Sequence, residues 1–186
     1  SWVHHFIVSQ CLGDQPSERP RSCSLDARWQ VHDRREAGKP LDRPDEGESR
    51  CMTHLALAGG AQGIVWYWLP SARTGHLPTE MPVVWEGLKT VVQETRELEP
   101  WLLTMPSEAD RIDLPEPLRG WSREHGGVRV LAIANPTDKP IWLDAYHTNR
   151  PAWLTHAKAR PGTSERKGSR WHVPARNAVV WSVEVD

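Results

Sequence analysis

The chain has 186 residues, with 23 Lys and Arg against 24 Asp and Glu, a formal net charge of −1 and 38% hydrophobic residues. That length holds one large or two small domains with a sizeable core, and the near-neutral balance excludes a global field that would draw nucleic acid or an anionic membrane. Three cysteines, Cys11, Cys23 and Cys51, are too few for a disulfide framework and lack metal-ligand spacing, although one bridge stays open if the chain is exported.

In chain order, Trp2 to Val8 reads as a strand. Residues 13 to 44 then turn to Arg, Asp, Pro, Ser and Gln with few apolar anchors, which fits a loop inserted at an active site, a poorly ordered segment, or a misjoined coding segment. Asp45 opens a helix in which Cys51, Met52, Leu55 and Ala58 recur at three- and four-residue intervals, and Gly59-Gly60 supplies the freedom a helix end needs. Ile64 to Leu69 is six apolar residues without alternation, the pattern of a strand covered on both faces in a parallel sheet. The polar stretch Ser71 to Thr79 leads to a second helix carrying Val84, Trp85, Leu88, Val91, Val92, Thr95, Leu98 and Leu102, with Pro82 in its first turn and Pro100 marking its end.

Residues 104 to 117 are rich in Pro and acids, and there we expect a domain boundary: 1–106 on one side, 107–186 on the other. Beyond it the periodicity moves toward two. Residues 120–124 and 128–134 flank Gly126-Gly127 as a hairpin, NPTDKP at 135–140 is a turn, and 141–146, 152–158, 170–174 and 178–185 read as further strands, with 161–169 an exposed loop. About six short strands with turn chemistry between them predict a small antiparallel β-sandwich.

The stretch ESRCMTHLALAGGAQGIVWYW and the downstream WEGLKTVVQETRELEPWL resemble the last repeats of (β/α)8-barrel glycoside hydrolases, the broad β-galactosidase-like group. The resemblance covers about a third of the chain and lies in packing motifs. It implies the seventh helix, eighth strand and eighth helix of such a barrel, with LAIANPTDKP and AVVWSVEV similar to strands of a C-terminal sandwich. The expected fold class is therefore α/β plus all-β, a partial (β/α)8 barrel followed by a small antiparallel β-sandwich. Such barrels need roughly 250 residues, so the resemblance also implies a fragment of a longer enzyme.

Retaining barrel glycosidases use two carboxylates about 5 Å apart. In the resembling enzymes these sit at the ends of the fourth and seventh strands. The fourth strand has no counterpart here, and Asp14 is the one acid just beyond the segment matching the seventh; a solvated loop acid beside Gly13 explains it better. Asp45, Glu46 and Glu48 suit the positive end of a helix. The catalytic acids are thus unassigned, and catalysis by this chain alone is not expected.

Eleven tryptophans against two tyrosines and one phenylalanine pull toward sugar stacking, or serve as large core residues. Trp66 and Trp68 share a strand face, and the resemblance makes Trp68 the floor under a sugar ring, with Trp66 deeper. Arg73 and His76 in the following loop offer hydrogen bonds to hydroxyls, or are simply solvated loop residues. Core packing explains Trp68 as well. A second reading is a noncatalytic carbohydrate-binding or structural module using Trp121, Trp142 or Trp153. Neither reading involves a cofactor, a metal, nucleic acid or a membrane. The expected partner is carbohydrate. No apolar run approaches the ~18 residues of a span, so a soluble chain, cytoplasmic or secreted, is expected.

Overall fold

A computed structural model of the chain describes residues 44–61, 64, 77–159 and 165–185. The strands expected at 2–8 and 64–69, apart from Ile64, lie outside these residues, as does the segment 13–43. Helix α1 runs Glu46–Ala58. Its start is fixed reciprocally: the Asp45 carboxylate accepts from the Glu48 amide at 2.8 Å, and the Glu48 carboxylate accepts from the Asp45 amide at 3.2 Å. Such a capping box satisfies two amides the helix itself leaves open. At the other end Gly60 takes φ +90, a left-handed angle that costs glycine little, and the Ala61 amide donates back to Ala56 at 3.0 Å.

A short turn α2 (Leu77–Glu80) precedes helix α3 (Pro82–Glu97). Pro82 sits in the first turn, where its missing amide is not needed. The helix ends at Leu98, and a further turn α4 (Glu99–Leu102) carries Pro100 at its start. Gly87 lets α3 approach α1 closely: a methyl there would lie 3.2 Å from the Glu46 Cα.

The remaining chain forms strands β1 (Arg119–His125), β2 (Val128–Asn135) and β3 (Ile141–Asp144), helix α5 (Pro151–His156), then β4 (Lys158–Ala159), β5 (Arg166–Lys167), β6 (Arg170–Val173) and β7 (Asn177–Glu184). They make a four-stranded sheet, β1-β2-β7-β4, and a three-stranded sheet, β3-β6-β5. Every ladder among the described residues is antiparallel. The β1–β2 hairpin turns at Gly126 (φ 59) and Gly127 (φ 74), angles a two-residue turn requires and the Gly-Gly pair predicts. Asn135 closes the next turn. It is fully buried, donates to the carbonyls of Lys139, Val173 and Pro174, and accepts from the Thr137 amide and hydroxyl.

The sheets share one core, in which Leu131, Ile133, Val179 and Trp181 meet Leu143, Trp171 and Val173, with Leu154 and Ala157 packed into the same cluster. The opposite face of the larger sheet is covered by helices. Trp121, Val130, Ala132 and Val180 pack on Leu57 and Leu98, while Ala134 and Ala178 pack on Cys51.

Three expectations need correction. Residues 152–158 are not one strand: 152–156 are helical, and only Lys158 pairs, as the first residue of β4. Pro151 occupies the first turn of α5, where its fixed φ starts a helix, and Leu154 is driven into the intersheet core while its carbonyl accepts from Trp171 Nε1 at 3.0 Å. Strand β3 also stops at Asp144, whose side chain accepts from the Tyr146 amide and turns Ala145–His147 into a 3-10 turn. Within the expected loop 161–169, Arg166 and Lys167 pair with β6.

Candidate functional site

Asp14, Trp66, Trp68, Arg73 and His76 lie outside the described residues. The chemistry that can be placed falls into three clusters, two of them structural.

The first joins the helices to the larger sheet. The Arg50 guanidinium is 7% exposed and donates from Nε and Nη2 to the two oxygens of Glu94 on α3, each at 2.7 Å. Nη2 also reaches Glu46 at 2.6 Å, and Nη1 reaches the Asn177 side chain of β7 at 3.3 Å. Nearby, Arg176 pairs with Glu48 at 3.1 Å. Glu46, Glu48 and Asp45 are thus engaged in capping and clasping at the start of α1, as their place at a helix N-terminus predicts. Bidentate contact with Glu94 raises the Arg50 pKa against the opposing effect of burial, so the clasp is permanently charged.

The second cluster surrounds Arg129 on β2. Its guanidinium donates to Asp110 and to Glu124, each at 2.6 Å, and lies over the Trp153 ring at 4.2 Å from the centroid, where Arg150 also approaches to 4.9 Å. Burial pushes the Asp110 carboxyl up, but the Ser107 amide and hydroxyl and the Arg129 charge overcome it and hold the carboxyl below its ordinary value. Cys51 is buried with Sγ 3.4 Å from the Asn135 carbonyl, and burial first, then Glu48, pushes its thiol up to about 12. A thiol so held is inert as a nucleophile at neutral pH.

The third cluster faces outward, on the three-stranded sheet. In β3 and β6 the core takes Leu143, Trp171 and Val173, so alternation sends Trp142 and His172, which pair directly, to the other face. Their ring centroids are 5.0 Å apart, tilted by 47°. The Lys167 ammonium lies 4.9 Å from the Trp142 centroid, and Arg170 stands 3.7 Å from Asp144. Trp142 remains 39% exposed.

The three tryptophans expected to compete for sugar therefore go to three places. Trp121 is buried under the helices, with Nε1 donating to His54 Nδ1 at 3.2 Å; Trp153 is held under arginines; Trp142 alone of the three is exposed. They form no row. His172 and Lys167 were not singled out in the sequence, although the alternation of Trp171 and Val173 with His172 was available to do so. Among the described residues no group of three or more His, Cys, Asp or Glu is gathered as a metal site, and no helix is long and apolar enough to cross a membrane.

No protein-family model and no curated protein matches the chain. Among solved structures the chain is similar to Amy13B of Eubacterium rectale, at 15% identity with a TM-score of 0.46 over 67% of this chain. The match covers 24% of that protein, so the chain spans about a quarter of its length.

Proposed function

We propose that the chain is the C-terminal part of a glycoside hydrolase that acts on oligo- or polysaccharide, comprising the last repeats of a (β/α)8 barrel (1–106) and a C-terminal β-sandwich (107–186). The intact enzyme would cleave glycosidic bonds with paired carboxylates, at least one of them outside this chain. Trp68 would floor a sugar subsite, with Trp66 beneath it and Arg73 and His76 hydrogen-bonding hydroxyls. The antiparallel layers would support the barrel.

The observation that carries this reading is the sequence of 48–68 and 85–102, which resembles the final repeats of such barrels. It is supported by α1 and α3, which lie where the resemblance puts the seventh and eighth helices in the chain and which are bound to one another by Arg50 and Glu94. A barrel's outer helices pack side by side in this way. The test is to read the coding sequence upstream, express the extended product, and assay it beside this chain on a panel of chromogenic glycosides. Hydrolysis by the extended product alone is expected. Upstream sequence without β/α repeats, or equal hydrolysis by this chain alone, would sink the proposal.

A further inference from the structure

Among the described histidines only His54 is buried, at 2% exposure. Its ring meets that of Trp121 across the seam between α1 and β1, the two planes 22° apart and the centroids 5.9 Å apart. Trp121 Nε1 donates to His54 Nδ1 at 3.2 Å. An indole N–H can only donate, so Nδ1 presents a lone pair and the imidazole is the neutral tautomer with its proton on Nε2. Trp121 is itself 5% exposed, so its N–H depends on that acceptor.

A second proton on the ring has to go to Nδ1, where it meets the Trp121 N–H. Two donors then face each other. Either the indole N–H is left buried without an acceptor, or an imidazolium is held away from water, and both are costly.

From this we infer that the His54–Trp121 pair is an acid-sensitive latch between α1 and the larger sheet, closed while His54 is neutral and opened by its protonation.

The charges around the pair do not favour an imidazolium. Helix α1 packs against α3, β7, β1 and β2. One turn back on α1 stands Arg50, and the α3 carboxylate of Glu94 is already bound to that guanidinium through both oxygens. Cys51 is held as a neutral thiol. Strand β2 offers the helices Val130, Ala132 and Ala134, none of them ionisable. On β7 the face that carries Ala178 and Val180 ends at Glu184, which stands 3.6 Å from Lys158 of β4. On β1 the face of Trp121 also carries Arg123 and His125, and both are cations in acid. Each carboxylate on these faces thus has a cation of its own, and the nearest strand adds positive charge.

Urea unfolding of the whole 186-residue chain between pH 8 and pH 5.5 tests the latch. The unfolded chain takes up the His54 proton near the ordinary histidine value of about 6.5, and the closed pair does not. Below that value each pH unit should therefore favour unfolding by up to about tenfold and lower the urea midpoint by up to about 0.7 M. His54→Gln supplies an amide oxygen that can accept from Trp121 and cannot titrate, so it should lose most of that slope. Imidazole 15N shifts of the histidine-labelled wild-type chain give a reading that needs no variant to fold. They should show a ring with its lone pair on Nδ1 and its proton on Nε2 at pH 7.5, unchanged in the folded chain at pH 5.5. A His54→Gln midpoint that falls with pH as steeply as the wild type's would overturn the inference. So would a proton on His54 Nδ1 at pH 7.5, or a folded chain in which His54 titrates at or above about pH 6.5.

Discussion

Replacing Glu94 by Ala should cost about 2–4 kcal/mol of stability, although Glu94 is a charged residue and no member of the hydrophobic core clusters. The reasoning starts from Arg50, which is 7% exposed and takes two 2.7 Å hydrogen bonds from its guanidinium to that carboxylate. Removing one partner of a buried ion pair costs about 3–5 kcal/mol, because the other charge is left without compensation in a poorly solvated place. Two features lower the figure. The Glu94 side chain is itself 27% exposed, and Glu46 keeps its 2.6 Å contact with Arg50. Glu94→Gln, which retains one neutral acceptor, should cost about half as much.

Urea unfolding followed by far-ultraviolet circular dichroism reads the effect. With a slope of about 2 kcal/mol per molar urea, Glu94→Ala should move the midpoint down by about 1–2 M. The surface pair Lys89–Glu86 is the control: its side chains are 50% and 67% exposed, so Glu86→Ala should change stability by no more than about 0.5 kcal/mol. A Glu94→Ala midpoint indistinguishable from that of Glu86→Ala would refute the claim that Arg50 is a buried clasp.

Asp110 has a folded pKa below its ordinary value of 3.8, so its contribution is fully present above about pH 4 and is lost as pH falls toward the folded pKa. The unfolding midpoint should therefore drop from pH 5 to pH 3, and Asp110→Asn should start lower and fall less; an identical pH slope in the variant would refute this. Gly120→Ala should destabilise by about 1–3 kcal/mol in the same urea assay, because the new methyl would stand 2.7 Å from the Ala132 carbonyl oxygen and 2.8 Å from Leu114; a change under about 0.5 kcal/mol would show that strand β1 shifts freely. Residues 107–186 expressed alone would uncover Trp121, Val130, Ala132 and Val180, and should bind a hydrophobic dye and self-associate in sedimentation; a monomer with the melting temperature of the whole chain would refute the shared core.

What the sequence disclosed was whatever depends on neighbours in the chain. Asp45 with Glu48, Gly59-Gly60, Pro82 and Gly126-Gly127 each act within a few residues, and each marked an element edge close to its observed place. Pro151 shows the limit: the same residue breaks a strand or starts a helix, and only the intersheet core, which Leu154 enters, decides between them. The Arg50 clasp was not legible, since Glu94 and Asn177 lie 44 and 127 residues from Arg50. Trp142 was named among the candidates, but its separation from Trp121 depended on which sheet carries helices on its outer face.

That last point bears on how uniform apolar runs are read. Strand β2, VRVLAIAN, is buried along almost its whole length without polar alternation, and so is the middle of β7. The cause is that Leu131 and Ile133 face the second sheet while Val130, Ala132 and Ala134 face α1 and its neighbours. An antiparallel strand thus acquires the continuous pattern usually associated with parallel sheets, because helices roof one face and a second sheet floors the other. Ile64 to Leu69 has the same pattern, and Ile64 packs against the cluster formed by Trp121, Leu57 and Leu98. Continuity of apolar residues therefore reports coverage on two sides and not strand direction. The barrel reading of 64–69 draws its force from the helices on either side of that run, since the apolar run by itself fits either kind of sheet.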